Sequence, residues 1–173
     1  MPTSNLALAP LLLHMVEEVP HARILDVGPG YGKYGLLLRE YLNEKPEQVD
    51  AVEADSTYLR DFPWLWKIYD NVYNLDILNW KGHFSERWLP TYDVVFMVEV
   101  IEHMDKQAAL ELIDQIPGRI VICTPEKFFH QHVDGHPWER HVSHWTRADF
   151  EGRAERLDLY LGGVVARLGP KGD

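Results

Sequence analysis

The stretch ILDVGPGYGKYG, residues 24–35, carries the strongest structural signal in this chain. Apolar residues surround an aspartate, Asp26, and four glycines then follow within eight positions. A buried strand that runs into glycines brings bare backbone close to a neighbouring group, because glycine has no side chain and accepts left-handed conformations. The stretch therefore predicts a strand, a tight turn and a helix, with a ligand at the turn.

Composition and charge are those of one globular domain. A chain of 173 residues is long enough for one domain with a real core and too short for two. The formal net charge of −10 disfavours a broad basic face for nucleic-acid phosphates. The single cysteine, Cys123, excludes an internal disulfide. We therefore predict a single domain over residues 1–173.

The apolar segment LALAPLLLHMV, residues 6–16, is predicted to pack as a helix within an N-terminal helical region, residues 1–20. It is shorter than a membrane-spanning helix and lacks the charged start of a signal peptide. We therefore expect a cytoplasmic protein without a membrane partner, as a monomer or a homodimer.

Strand and helix patterns alternate along the chain. Apolar runs predict strands over 23–27, 49–54, 71–77, 92–100 and 119–124. Helical spacing predicts helices over 5–18, 31–42, 56–67 (disturbed by Pro63), 104–116 and 146–157. Two apolar runs then flank Gly162–Gly163, which is a hairpin signal. The alternation predicts an α/β fold: an open, mostly parallel sheet with helices on both faces and a C-terminal antiparallel hairpin.

One long segment, residues 124–145, shows no clear periodicity, and a loop of that length is usually functional. It contains five of the nine histidines of the chain, which are His130, His132, His136, His141 and His144. Histidines in a loop beside a ligand are natural acid–base groups or metal ligands.

The glycine turn matches a dinucleotide fingerprint better than a phosphate-binding P-loop. A P-loop has four residues between its first glycine and Gly-Lys, and then Ser or Thr. Here only three residues separate Gly28 from Gly32, and a tyrosine follows the lysine. Residues 30–35 read G-x-G-x-x-G, and Glu53 lies about twenty residues on, at the position that recognises a ribose.

Carboxylates at the strand ends argue against a phosphate ligand. Four acids lie near the carboxyl ends of predicted strands, which are Asp26, Glu53, Asp76 and Glu99. Open α/β sheets bind their ligands at this edge. Because carboxylates there repel a pyrophosphate, the pattern favours an adenosine with a cationic tail.

Four segments, in order, resemble the motifs of class I S-adenosylmethionine-dependent methyltransferases. They are LDVGPGYG (25–32), AVEAD (51–55), NLDIL (74–78) and YDVVFMVEVIEHM (92–104). The resemblance covers roughly residues 20 to 125 and implies a Rossmann-like fold with S-adenosyl-L-methionine as the cofactor.

The resemblance also implies which residues form the cofactor pocket: Asp26, Gly28, Gly30, Gly32, Glu53, Asp76, Ile77, Val98 and Glu99. The glycines would line the methionine end, with Asp26 near its ammonium group. Glu53 would bind the ribose hydroxyls, and Asp76 the adenine amino group with Ile77 beside the ring. Glu99 and the valine before it would close the pocket beside the sulfonium. Alternatively, Asp76 caps the segment that follows it.

Methyl transfer requires in-line placement of the acceptor, and a hydroxyl or amine acceptor must also lose a proton to a base or with the help of a metal. In EVIEH, residues 99–103, the two glutamates and the histidine would share one face if a helix begins there. The predicted catalytic groups are Glu102, His103, His141 and His144.

Two further resemblances leave the acceptor open. EVIEH, a strand end containing Thr-Pro, and a histidine four residues before Trp-Thr resemble metal-dependent methyltransferases of small-RNA 3′ ends. That resemblance implies a divalent metal, Mg²⁺ or Mn²⁺, on Glu99, Glu102, His103 and His141. Similar Glu-x-x-Glu-His stretches also occur in ubiquinone-type and sugar-type methyltransferases that use no metal, and PWERHVSHWT, residues 137–146, resembles the acceptor-side loop of small-molecule and sugar methyltransferases.

Charge favours the resemblance to small-molecule and sugar methyltransferases, since the chain has 27 acidic residues and 17 basic residues. We therefore predict O-methylation of a small-molecule or sugar hydroxyl, with residues 124–145 as the acceptor-side loop. One alternative is metal-dependent 2′-O-methylation of an RNA 3′ end, and another is a non-catalytic module that binds the cofactor or a dinucleotide. Without a metal, His141 or His144 would act as a base or hold the loop to Glu139 or Asp134.

Overall fold

The computed structural model describes residues 4–131, 133 and 136–170. Its strands are β1 Arg23–Val27, β2 Gln48–Glu53, β3 Val72–Asn74, β4 Val94–Val98, β5 Arg119–Pro125, β6 Ala154–Tyr160 and β7 Gly163–Leu168. Its α-helices are α1 Ala9–Glu17, α2 Lys33–Tyr41, α3 Ser56–Asp61, α4 Leu65–Ile68 and α5 Lys106–Gln115.

All seven strands form one sheet in the order β3-β2-β1-β4-β5-β7-β6. Strands β1 to β5 pair in parallel, whereas β7 runs antiparallel between β5 and β6. The predicted parallel sheet with a C-terminal hairpin is therefore confirmed. From β1 the sheet extends toward β3 on one side and toward β5 on the other, and ligands bind beyond the strand ends at such a switch point.

The core lies on both faces of the sheet. Side chains of a strand alternate between the faces, and the central strand β4 is buried throughout. Val94, Phe96 and Val98 pack on the face covered by α1 and α2. Val95 and Met97 pack on the other face, which α5 covers. This is why the sequence of β4 is continuously apolar rather than alternating.

The predicted helix over residues 146–157 is wrong. The chain makes one 3-10 turn, Arg147–Asp149, and β6 then begins at Ala154. Thr146 and Asp149 close that turn with a capping box, in which the Thr146 amide donates to Asp149 Oδ2 at 2.7 Å. Gly152 then takes a φ of +80°, which ends helical geometry. Pairing of β6 with β7 outweighs the local helical spacing.

The other predicted elements occur with shifted ends. The helix predicted over 56–67 is interrupted between Asp61 and Leu65, around Pro63, as the proline predicts. Strand β3 is shorter than predicted. Within the described residues of the acceptor-side loop, a 3-10 turn forms at Pro137–Glu139, while His132 and Asp134 lie outside the described part of the chain. Of the helices in the described ranges, none has the length and apolarity needed to cross a membrane.

Candidate active site

An open cavity of about 270 Å³ lies beyond the carboxyl ends of β1, β2 and β4. Seven of the nine predicted cofactor residues line it, namely Gly28, Gly30, Glu53, Asp76, Ile77, Val98 and Glu99. The acceptor-side loop contributes Gln131, Trp138, Glu139 and His141 to its lining. The structure thus brings the glycine turn, the acidic strand ends and the loop to one cavity.

The glycine turn has the backbone geometry that requires glycine. Gly28 has a φ of +66°, and a Cβ atom there would lie 2.8 Å from Cγ2 of Val100. Gly32 has a φ of +81° and precedes α2 as its N-cap. It does not line the cavity, and a Cβ atom there would meet Leu65 at 2.8 Å. The structure therefore places Gly32 in packing against α4.

Asp26 lies behind the cavity lining rather than on it. Its side chain is buried and accepts a hydrogen bond from the Tyr69 hydroxyl at 2.5 Å. Burial raises the pKa of Asp26 to about 7, although the tyrosine bond opposes the rise. Because Asp26 is not among the cavity residues, the structure does not place its carboxylate where the resemblance implies the methionine ammonium.

Glu53 occupies the wall that follows β2. Its Oε1 accepts a hydrogen bond from the Asp55 amide at 2.8 Å. Burial, with a smaller contribution from the nearby carboxylates of Asp55 and Glu139, raises the pKa of Glu53 to about 7 against the opposing effect of hydrogen bonds. Asp55 also caps α3 through the Thr57 amide at 2.9 Å. A ligand hydroxyl at Glu53 would therefore meet a half-protonated carboxyl group near neutral pH.

Asp76 has two roles at once. It lines the cavity, and it caps the 3-10 helix Ile77–Gly82 by accepting from the Leu78 amide at 3.0 Å. The capping alternative raised from the sequence is therefore present alongside the cavity position.

Sequence reasoning missed Lys33 as a cavity residue. Its ammonium group donates to the Ser4 carbonyl at 2.5 Å and to the Ser4 hydroxyl at 2.9 Å. Burial lowers the pKa of Lys33, and the nearby Glu99 carboxylate opposes that change. Among the described residues that line the cavity, Lys33 is the only lysine or arginine. The position of Lys33 immediately after the glycine turn could have indicated from the sequence that it lies at the cavity.

The EVIEH stretch does not form the predicted common helix face. Its helical part is a 3-10 turn, Ile101–His103, and Glu99 precedes this turn with a φ of +58°. The Glu99 amide donates to the Cys123 carbonyl at 2.7 Å, which holds the residue against β5. Glu99 therefore faces the Cys123 thiol, 3.5 Å from its Oε1, rather than sharing a helix face with Glu102.

Three of the four predicted metal ligands come together. Ligand atoms of Glu102, His103 and His141 all lie within 4.8 Å of one another, and Glu99 is outside this group. Glu102 Oε2 accepts from the Thr124 hydroxyl at 3.0 Å. Within the described part of the chain, Glu102 Oε1 is buried and has no hydrogen-bond partner. Such an atom is costly to bury unless a ligand completes its coordination.

The protonation of this cluster follows from its burial. Burial and, to a smaller extent, the nearby Glu99 carboxylate raise the pKa of Glu102 to about 8, while the Thr124 hydrogen bond opposes the rise. Burial lowers the pKa of His103, whose Nδ1 lies 3.2 Å from the Arg140 carbonyl. The pKa of His141 is also lowered, by burial and by His103. Neutral imidazole is the form that ligates a metal or accepts a proton.

A divalent cation fits this donor set. Two imidazoles and one carboxylate offer the nitrogen and oxygen ligands that divalent transition-metal ions commonly bind in proteins. The Arg140 carbonyl and the Thr124 hydroxyl contact the ligands in the way that orients metal-binding side chains. These residues would hold the cation.

Backbone contacts decide which loop histidine reaches the cluster. The amides of Val142 and Ser143 both donate to the Glu102 carbonyl, at 2.8 and 3.1 Å. His141 directly precedes them and is thereby placed beside Glu102. His144 is exposed, does not line the cavity, and has its Nε2 2.9 Å from the Glu126 carbonyl. The structure therefore does not bring His144 to the predicted catalytic group.

The sheet order, the glycine turn and the acid-lined cavity together define a Rossmann-like methyltransferase domain. A family model described as a methyltransferase domain matches residues 5–161. The chain therefore belongs to the class I S-adenosylmethionine-dependent methyltransferases, which are enzymes. No curated protein sequence matches it.

Solved structures of several kinds share the fold. The methyltransferase domain of bacterial CtHen1-C is 19% identical, with 93% of this chain and 96% of that chain covered and a TM-score of 0.58. An S-adenosylmethionine-dependent methyltransferase from Aquifex aeolicus is 20% identical, with 92% and 89% covered and a TM-score of 0.55. The pyocyanin biosynthetic protein PhzM is 15% identical with a TM-score of 0.59; the match covers 94% of this chain but only 55% of PhzM.

Proposed function

We propose that this enzyme methylates a hydroxyl group of a small molecule or sugar, with S-adenosyl-L-methionine as the donor and the acceptor held at Glu102, His103 and His141. The observation that carries the proposal is the buried Glu102 Oε1, which has no hydrogen-bond partner among the described residues and lies beside two imidazoles in the lining of the cofactor cavity. Family membership favours this reading over a non-catalytic binding module.

The glycine turn and the acidic wall would bind the donor. Glu53 and Asp76 line one part of the cavity and present carboxylates suited to ribose hydroxyls and an adenine amino group. Ile77 gives an apolar surface beside them. Lys33 and Glu99 line the cavity and interact with each other electrostatically. A zwitterionic methionine tail matches that pair of charges.

The acceptor side would remove a proton. His103 and His141 have lowered pKa values, so without a bound cation either ring is neutral near pH 7 and can accept the hydroxyl proton. A divalent cation on these residues and Glu102 would supply Lewis-acid polarisation of the acceptor hydroxyl. The side chains that line the cavity would hold donor and acceptor in line, and such placement contributes much of the rate in a transfer from an activated sulfonium.

Electrostatics favours a small acceptor over RNA. The chain carries a formal net charge of −10, and its described cavity lining holds five acids besides Glu102, namely Glu53, Asp76, Glu99, Asp105 and Glu139. Such a field repels a phosphate backbone. The Glu102–His103–His141 group nevertheless contains three of the four ligands that the resemblance to RNA 3′-end methyltransferases implies, so RNA is the second candidate acceptor.

The test combines binding and turnover. Calorimetry with S-adenosylhomocysteine and with Mn²⁺ is run on the wild type and on Glu102→Gln, His103→Asn and His141→Asn. We expect each variant to bind S-adenosylhomocysteine but to lose Mn²⁺ binding, while the matched control His144→Asn keeps both.

Turnover is then measured with a radiolabelled methyl donor on vicinal diols, sugars and an RNA oligonucleotide with a free 3′ end. Activity that survives a chelator would exclude the metal, and methylation of RNA alone would exclude a small acceptor. Full turnover in the His103→Asn/His141→Asn double variant would contradict the proposed acceptor site.

A further inference from the structure

A second polar cluster joins the acceptor-side loop to the cofactor wall, and we call it the clasp. It consists of Asp55 and Tyr58 on the wall and His136 and Glu139 on the loop. The Tyr58 hydroxyl donates to Glu139 Oε1 at 2.9 Å. His136 Nδ1 lies 2.8 Å from Asp55 Oδ2, and its ring stacks on the Tyr58 ring at 4.8 Å and 10°. The Thr57 hydroxyl also lies 3.2 Å from His136 Nδ1, so polar contacts and a ring stack together hold the loop to the wall.

The clasp spans the cavity. Tyr58 lines it from the wall side, and Gln131, Trp138 and Glu139 line it from the loop side. Gln131 also donates to Glu139 Oε2 at 3.2 Å, so both carboxylate oxygens of Glu139 are bonded. A ligand that fills the cavity would therefore contact both sides of the clasp.

On the wall, the clasp is connected to the predicted ribose site. The Asp55 amide donates to Glu53, and the Asp55 side chain caps α3, which carries Tyr58. A ligand that bonds Glu53 therefore fixes the turn that presents Asp55 to His136.

On the loop, the clasp is connected to the acceptor site. The 3-10 turn Pro137–Glu139 starts directly after His136, and His141 follows two residues after Glu139. The position of His141 is thus set from both ends, by the clasp before it and by the Glu102 carbonyl contacts of Val142 and Ser143 after it.

We propose that the clasp couples the two halves of the site, so that cofactor binding stabilises the clasp contacts and the position of His141, and cation binding at Glu102, His103 and His141 tightens cofactor binding by the same factor. His136 and Glu139 are then positioning residues, which act through His141 and the cavity wall. The inference rests on the proposed function for its acceptor half and on family membership for its cofactor half. Such reciprocity is required of any two coupled binding equilibria.

The experiment measures a coupling factor by calorimetry. The dissociation constant of Mn²⁺ is determined with and without saturating S-adenosylhomocysteine, and that of S-adenosylhomocysteine with and without Mn²⁺. In the wild type we expect each ligand to tighten the other by about 5-fold or more, the usual lower range for coupled sites. His136→Ala and Tyr58→Phe should bring the factor toward one.

The matched control is His130→Ala, which removes an exposed histidine of the same loop that contacts Phe128 and not the clasp. It should keep the wild-type factor. A merely structural role for His136 would weaken Mn²⁺ binding equally with and without S-adenosylhomocysteine, and that result would overturn the proposal, as would a factor of one in the wild type. Tyr58→Phe removes only a hydroxyl and provides the same test if His136→Ala does not fold.

A second measurement separates this proposal from the metal. If Mn²⁺ does not bind the wild type, the metal proposal fails, and hydrogen exchange of residues 136–145 decides the clasp alone. Slower exchange with S-adenosylhomocysteine in the wild type, lost in His136→Ala, supports the clasp. Exchange that the ligand leaves unchanged in the wild type contradicts it.

Discussion

Replacing Gly35 by alanine tests whether close packing of Gly35 against Tyr69 stabilises the fold around the glycine turn. A Cβ atom at this position would lie 2.2 Å from Cζ and 2.4 Å from the hydroxyl oxygen of Tyr69. Tyr69 is buried, and its hydroxyl donates to the buried Asp26. The ring has to move, and the hydrogen bond to Asp26 breaks with it.

Two losses and one gain set the magnitude. Overpacking of a filled core costs about 1–3 kcal/mol. Loss of a hydrogen bond to a carboxyl group costs about 1.5–3 kcal/mol more. Alanine stabilises the interior of helix α2 by about 0.5–1 kcal/mol relative to glycine. We expect the free energy of unfolding to fall by about 2–5 kcal/mol, which is a large part of the stability of a domain.

Urea unfolding followed by tryptophan fluorescence and circular dichroism measures this change. The matched control is Gly82→Ala, since a Cβ atom at Gly82 would meet nothing within 4 Å, and its effect should stay within about 0.5–1 kcal/mol. In a Tyr69→Phe background the hydroxyl is already absent. Gly35→Ala should then lower the free energy of unfolding by less, and the difference should equal the contribution of the hydrogen bond to Asp26. A Gly35→Ala protein as stable as Gly82→Ala, or an equal cost in both backgrounds, would refute the reasoning.

Three further predictions concern protonation and the loop. Burial raises the pKa of Glu53 to about 7, and an ionised carboxylate accepts hydrogen bonds from hydroxyl groups better than a protonated one. The affinity for S-adenosylhomocysteine, measured by calorimetry, should therefore rise from pH 6 to pH 8 and then level off. The affinity of Glu53→Gln should not change with pH over this range. The pKa of Asp26 is raised from 3.8 to about 7, so the folded state holds a proton that the unfolded state has released between these values, and the contribution of Asp26 to stability falls as pH rises through this window. Urea unfolding should therefore show Asp26→Asn gaining on the wild type by at most about 1.4 kcal/mol per pH unit between pH 4 and pH 7; a constant difference would contradict the raised pKa. His141→Asn should lower turnover by about 10²-fold or more, whereas His144→Asn should leave it within about twofold because His144 lies outside the cavity; equal losses in the two variants would contradict this assignment.

The order of strands and helices as far as β5 and the identity of the glycine turn were predictable from local pattern. Residues 24–35 contain an apolar run, left-handed positions and a helix start within one short segment, so neighbours in sequence dictate the outcome. The same holds for Glu53, which ends β2, and for Asp76, which follows β3, since carboxyl ends of parallel strands meet at one edge. The family resemblance of the four ordered segments followed from these local features.

Tertiary contacts decided the rest. The position of Asp26 just before the glycine turn predicts a cavity residue. In the fold, however, Asp26 is buried and accepts a hydrogen bond from Tyr69, which is distant in sequence. Residues 146–157 have helical spacing, yet β7 draws their second half into a strand. Among the loop histidines, spacing cannot separate His141 from His144. Their positions depend on whether two backbone amides reach the Glu102 carbonyl, a contact between segments far apart in sequence whose energy no local pattern contains.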